Sequence, residues 1–417
     1  MTFSSSVRGK RVPDSTSALL AEAKAILPEA VALRRRIHAE PELGLALPAT
    51  QRAVLEFLAG LDLKIATGGA TSAVVATLVG ARPGPCVLLR ADMDALPLQE
   101  ETALPFASRA RGRMHACGHD AHVAMLAAAA RLLAAHREEL AGSVKFLFQP
   151  GEEGYGGARI LVEEGLLEAE PRPQAAFALH VNPVVPSGAI ALRPGPILAA
   201  ADVFRAELRG KGGHASMPHD AVDPIPVACE VVSALQAFVA RRSYVFDPVV
   251  LSVTRIEAGT TFNVIPETVQ LEGTLRSLSE VARSAARAGI ERIIQHVAAA
   301  HDVTARVEIE AGYPVTVNDA ACADFTQRVA RELFGKEHVI AMAAPLMGAE
   351  DFSYVLQRIP GALAFLGVWP PGEQEPAPLH SNRMRLDEAA LAHGIALHAA
   401  WALAYSERAP RSRPVAT

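Results

Sequence analysis

Cysteine is scarce: four in 417 residues, at 86, 117, 229 and 322, with no C-x-x-C pair. That spacing excludes a structural zinc finger, and so few thiols predict a reduced chain in a cytoplasmic setting. An excess of one charge is missing too. Lys and Arg number 40 against 45 Asp and Glu, a formal charge of −5. The basic residues are scattered, so no nucleic-acid partner is expected. The densest basic run, "RRR" at 34–36, leads directly into "IHAEPE" and reads as a solvated helix face. No apolar run approaches the roughly 20 residues that a bilayer span needs, so no membrane partner is expected. The first residues, "MTFSSSVRGKRVPDSTS", lack the apolar stretch of a secretory signal. What remains is a chain that is 50% hydrophobic, enough for a sizeable core, and long enough for two domains.

Residues 1–14 read as a disordered tail, and Ser15 or Thr16 as the cap of a helix that Pro28 is expected to break or kink. "SAVVATLVG", "PCVLLRADMD", "GSVKFLFQP" and "QAAFALHV" read as strands, and "AHVAMLAAAARLLAAHREEL" as a strong helix. This alternation predicts an α/β domain with a mostly parallel sheet and helices on both faces. "RPGPILAA" reads as a linker, after which the order becomes β-α-β-β-α-β, the ferredoxin-like pattern. The α/β texture then resumes with a helix at 319–334, the strand "ALAFLGVW" and a last helix from Asp387. The expected domains are therefore 15–192 with 311–417, and an inserted α+β domain at 193–310.

In open α/β sheets, ligands bind beyond the carboxyl ends of the strands. Acidic and imidazole side chains gather at those positions here. "LLRADMD" ends in Asp92 and Asp94, "VKFLFQPGEE" in Glu152 and Glu153, and "FALHV" carries His180. "HACGHDAH", with Cys117 and His119, stands just before the long helix. A catalytic divalent metal needs several such donors and an open position for water. Glu152 and Glu153 are neighbours on a loop and point apart, so one can bind metal while the other faces substrate. Asp94 is expected to orient a ligand.

In order, "RADMDALP", "MHACGHDAH", "FQPGEEG", "ALHV", "GKGGHAS", "FNVIPE", "GTLR", "GAEDFS" and "LHS" resemble the amidohydrolase branch of the aminoacylase–carboxypeptidase metallopeptidases. That branch includes hippurate and indoleacetyl-amino-acid hydrolases, and the resemblance runs from about residue 30 to 405. It implies two divalent ions (Mn, Zn, Co or Ni), held by Cys117, His119, Glu153, His180 and His380, with Glu152 as general base. It also implies a homodimer or a higher homo-oligomer, with the inserted domain serving dimerisation and His214 reaching the partner's site to polarise an amide carbonyl. Asn263 resembles a residue that helps hold the oxyanion. Arg276 is placed to clamp a free carboxylate, and Gly348 to keep backbone close to substrate. His115 and His122 are not expected to be ligands, and the role of Asp92 stays open. After "PELG" the branch has acidic residues where this chain has "LALP".

The expected function is hydrolysis of the amide bond of N-acyl amino acids, hippurate-like or N-acetyl, giving a carboxylic acid and a free amino acid. The alternatives are a metal-dependent aminopeptidase or carboxypeptidase on short peptides, or a cysteine hydrolase using Cys117. The last leaves the paired Glu, His180 and His380 without a role. A binding module would not need Glu152, and "GEEGYGG" does not fit a dinucleotide loop.

Overall fold

The structure, a computed structural model, describes residues 16–408. The expected tail at 1–14 and the cap from Ser15 lie outside the described residues. The chain divides into two compact units. One comprises the residues up to Gly195, Asn318–Ala343 and those from Val355 onward; the other comprises Pro196–Val317 and Ala344–Tyr354. The segment 344–354, which the sequence reading places with the metal-binding domain, falls in the second unit. There the carbonyls of Leu346 and Gly348 accept from Ala199 N at 3.1 and 2.8 Å.

The larger unit holds an eight-stranded sheet. Its order is Lys64–Thr67, Val74–Val79, Ala141–Gln149, Arg82–Asp92, Pro173–Asn182, Gly361–Gly367, Ile190–Leu192 and Val339–Ala341. The four central strands are parallel. Val74–Val79 and Ile190–Leu192 run antiparallel to their central neighbours. The sheet is therefore mixed rather than mostly parallel. Lys64–Thr67 and Val74–Val79 are joined by a connection too short for a parallel crossover, so they can pair only as a hairpin. The parallel strands are buried along most of their length, as expected where both faces are covered. The helices Thr16–Ala39, His119–Ala135 and Leu391–Ser406 pack on one another, and the last two also pack on the strand Arg82–Asp92. Alanines at 127–130, all fully buried, let these helix surfaces approach closely.

Three readings are corrected. Pro28 does not break its helix, which continues from Thr16 to Ala39. One lost backbone bond is outweighed by packing along the helix. "RPGPILAA" (193–200) is not a linker but forms the strand Gly195–Leu198 and begins the strand Ala200–Arg209. The run at 34–36 is not a solvated face throughout, because Arg34 is 2% exposed and His38, one turn on, is 1% exposed. Asp387 caps a short 3₁₀ turn, accepting from Ala389 N at 3.0 Å, before the last helix begins at Leu391.

The smaller unit has a four-stranded antiparallel sheet in the order Val249–Ala258, Thr268–Ser277, Ala200–Arg209, Thr304–Ala311. With helices Pro224–Arg242 and Glu280–Ala300 this is the ferredoxin-like arrangement. Both helices are capped, by Asp223 accepting from Ile225 N at 2.9 Å and by Ser279 accepting from Ala282 N at 3.0 Å. By length and composition alone, Pro224–Arg242 passes as a membrane span. Its Val227, Val231 and Leu235 side chains are instead buried in the core of this unit with Phe204, Leu271 and Ile290. Gly273 has no room for a side chain, since a Cβ there would lie 2.4 Å from the Phe204 ring. Ile290 is fully buried at the centre of that core. Ile290→Ala should cost about 2–5 kcal/mol, read as a lowered denaturation midpoint by circular dichroism; an unchanged midpoint would contradict this packing.

Candidate metal centre

The parallel register brings the donors of the larger unit to one level. Asp92 lies opposite Gln149, and Arg90 opposite Ala178, so Asp92, the end of the Gln149 strand and His180 align at the carboxyl edge. Gly118, at φ +81°, turns the chain into the helix His119–Ala135. A Cβ on Gly118 would sit 2.4 Å from Val181 Cγ2, so glycine alone fits this approach of ligand loop to strand.

Around this edge the ligand atoms of Cys117, His119 and His180 lie within 4.8 Å of one another. The same holds for Cys117, Glu153 and His380, and for His119, Glu152 and Glu153. Cys117 belongs to two of these sets, as a thiolate shared by two ions would. His180 Nδ1 donates to Val181 O at 2.7 Å, and its Nε2 is hydrogen-bonded with Cys117 Sγ at 3.5 Å. His380 Nε2 lies 3.2 Å from Glu153 Oε1. Its backbone N–H, at a residue with φ +66°, donates to Ala116 O at 2.9 Å and ties the His380 loop to the Cys117 segment.

The donor chemistry fits a divalent metal. Both ring nitrogens of His119 are buried without a hydrogen-bond partner. An unpaired buried polar atom costs about 1–3 kcal/mol, so an imidazole with two of them, set among Cys and Glu donors, fits a bound ion. Asp92, His119 and His122 also come together, but His122 is already used. Its Nε2 accepts from Val181 N at 2.8 Å and its Nδ1 donates to Asp92 Oδ1 at 2.5 Å. Arg90 NH1 holds the other oxygen of Asp92 at 2.7 Å. Asp92 thereby becomes a buried anion, 3.6 Å from His119 Nε2. Asp94 acts on the loop: its two oxygens accept from the backbone N–H of Glu152 and Glu153 at 2.9 and 3.0 Å.

Charges in the site oppose and support one another. Burial disfavours ionised Asp92, yet Arg90, His119 and His122 hold it well below the usual carboxylate range. Burial, reinforced by His122, pushes His180 well below its ordinary value, so it stays a neutral donor. His119 is raised well above its ordinary value, because Asp92 and Cys117 outweigh its burial. Burial pushes the Cys117 thiol up. Hydrogen bonds to Cys117 and Glu153 raise His380 to about 10.

The remaining residues singled out in the sequence lie in the smaller unit. His214 is exposed, its Nδ1 accepting from Ser216 N at 3.1 Å. With Asn263 it lines a cavity of about 650 Å³ between Gly212 and Thr268. Arg276 is half-buried on the strand Thr268–Ser277. Gly348 packs 3.4 Å from Leu198 Cδ2, measured from an ideal Cβ. The sequence reading missed Arg90, although an arginine within the apolar strand "VLLRAD" was a signal. It also missed the ion pairs of Arg34, His38 and Asp120.

Residues 88–404 match the model of peptidase family M20/M25/M40, and the chain belongs to that family. Thermostable carboxypeptidase 2 of Saccharolobus solfataricus is 37% identical over 382 residues, covering 91% of this chain and 95% of its own. IAA-amino acid hydrolase ILR1-like 4 of Arabidopsis thaliana is 40% identical, covering 90% and 85%. N-acetylcysteine deacetylase of Bacillus subtilis is 37% identical, covering 88% and 94%. Among solved structures, a dinuclear metal-binding peptidase of this family from Bacillus subtilis superposes with a TM-score of 0.79 at 33% identity, covering 91% of this chain and 98% of its own.

Burial opposes a charge on His38, but Asp120 beside it and hydrogen bonds to Asp120 and Glu100 raise it to about 9 from 6.5. Folding thus takes up a proton at His38. The resulting stability is complete below the lower value and is lost as pH rises through the higher one. The stability gap between the native chain and His38→Gln should therefore narrow from about pH 6.5 to about pH 9 in denaturant titrations; a gap that widens over this range would contradict it.

Proposed function

We propose that the protein is a dinuclear metal-dependent amidohydrolase that cleaves N-acyl amino acids to a carboxylic acid and a free amino acid. The observation that carries this is the adjacent pair Glu152 and Glu153, pinned through their backbones by Asp94 within a set of His and Cys donors. Cys117, His119, Glu153, His180 and His380 would hold the two ions. When bound, the ions supply Lewis acidity toward the attacking water and the scissile carbonyl. Glu152, 6% exposed and within 4.8 Å of the His119 and Glu153 donor atoms, takes the proton of that water and passes it to the leaving amine. Asp94 keeps the base and its neighbouring ligand in fixed register. Family resemblance gives His214 and Asn263 the developing charge on the carbonyl oxygen, Arg276 the free carboxylate of the substrate, and Gly348 a place close to the substrate.

The names of the relatives favour N-acyl amino acids, an IAA-amino acid hydrolase and an N-acetylcysteine deacetylase among them. A second reading, release of the terminal residue from short peptides, is favoured by the carboxypeptidase relative. A Cys117 nucleophile is disfavoured, because burial raises its thiol where an activated thiolate needs a lowered one.

A screen of hippurate, N-acetyl and indoleacetyl amino acids against dipeptides, on enzyme reloaded with Mn²⁺, Zn²⁺ or Co²⁺, separates the two substrate readings. Turnover unaffected by chelation would overturn the metal-dependent one. Glu152→Gln should keep fold and metal while losing more than the about 10²–10⁴-fold assigned to acid–base catalysis alone; near-normal kcat would remove Glu152 as the base. In a homodimer whose sites share His214, inactive His214→Ala and Glu152→Gln chains should regain activity on mixing. Mixed chains that exchange subunits yet stay inactive would end that arrangement.

A further inference from the structure

Directly behind the ligand pair Cys117 and His119 lies a buried network that the reaction as described does not use. Asp120, the residue after His119, is fully buried in the first turn of its helix. It points away from the metal centre toward the helix Thr16–Ala39. There His38 Nδ1 donates to Asp120 Oδ2 at 2.8 Å. Arg34 Nε lies 3.0 Å from the same oxygen, an ion-pair distance without the alignment of a hydrogen bond. Arg34 NH1 continues to Glu388 Oε1 at 2.6 Å, and His38 Nε2 to Glu100 Oε1 at 3.2 Å. Glu100 is itself fixed by Ser108 N at 2.7 Å and by the Thr102 hydroxyl.

Five charged groups thus tie the ligand-bearing helix to three other segments: the first helix, the 100–108 loop and the turn before the last helix. As a source of stability such a cluster is a poor device, since apolar residues of the same volume often do as well or better. Its placement supplies another reason. On the opposite side of the same helical turn, His122 is clamped between Asp92 and Val181 N. The turn that carries His119 is therefore gripped from both sides. Rotation about the helix axis would move His119 and Cys117 relative to His180, Glu153 and His380.

We infer that Asp120, held by Arg34 and His38, is a positioning residue that sets the approach of Cys117 and His119 to the metal ions. The inference rests on the metal-centre reading and adds to it a group that touches neither ion nor substrate.

The test uses the full chain reconstituted with Co²⁺, whose thiolate charge-transfer band reports the Cys117 bond directly. Asp120→Asn keeps the shape and removes the charge. It should shift or weaken that band and lower Co²⁺ affinity by about 10–100-fold, the usual effect of removing a partner that orients a ligand. Glu388→Gln, which releases Arg34 from its far side, should change both in the same direction by less, and serves if Asp120→Asn does not fold. Thr326→Val removes a buried hydrogen bond to Trp401 Nε1 (2.9 Å) elsewhere in the unit, so it lowers stability and should leave the band unmoved. A native band and affinity in Asp120→Asn, or in Glu388→Gln where that variant stands in, would overturn the inference alone. So would an equal disturbance in Thr326→Val. A native protein with no thiolate band would take down the metal-centre reading, and this inference with it.

Discussion

The two oxygens of Asp94 accept the backbone N–H groups of Glu152 and Glu153. Much of the site follows from that one contact. The loop after the strand Ala141–Gln149 has no regular structure until the helix at Gly157, and only isolated backbone bonds (Gly154 N to Glu152 O at 2.8 Å, Gly157 N to Gly151 O at 3.0 Å) brace it from within. Asp94 supplies a two-pronged acceptor from just beyond the neighbouring strand Arg82–Asp92. The two N–H groups belong to consecutive residues, and both carboxylates reach to within 4.8 Å of a His119 nitrogen and of each other. One carboxylate is left among the Cys and His donors, and the other stands beside them.

The same logic repeats around the site. Two of the proposed donors are oriented by a bond made through another of their atoms: His180 through Nδ1 to Val181 O, and His380 through its own backbone to Ala116. His122 illustrates the converse. It has the chemistry and the location of a ligand, yet both of its nitrogens are spent in holding Asp92 and a strand N–H. Whether an imidazole binds metal here depends on what its second nitrogen is doing.

This explains which parts of the structure were legible in the sequence. Strand ends are marked by apolar runs that stop at Asp92, Gln149 and Asn182, so the converging donors stood out. The ferredoxin-like unit was legible for the same reason: its strand Ala200–Arg209 alternates buried and less buried positions along its whole length. The antiparallel flank of the large sheet was not, because Lys64–Thr67 is exposed at every position and shows no alternation. Arg34 was misread, and His38 passed over, for a different cause. A helix period shows which residues share a face but not what covers it, and their partners Asp120, Glu100 and Glu388 lie far away in the chain. Arg90 in an apolar strand was readable as an anomaly, though not its service to Asp92.

The spread of the donor set along the chain has a consequence for how the protein is made. A zinc finger draws its ligands from a short stretch, and the ion drives folding. Here the proposed donors run from Cys117 to His380, and the last joins through a backbone bond to Ala116. On the ribosome, no nascent chain shorter than nearly its full length can assemble the set. Parallel strands that pair only after long crossovers delay it further. Synthesis and folding must therefore run almost to completion before the proposed ligand set is complete.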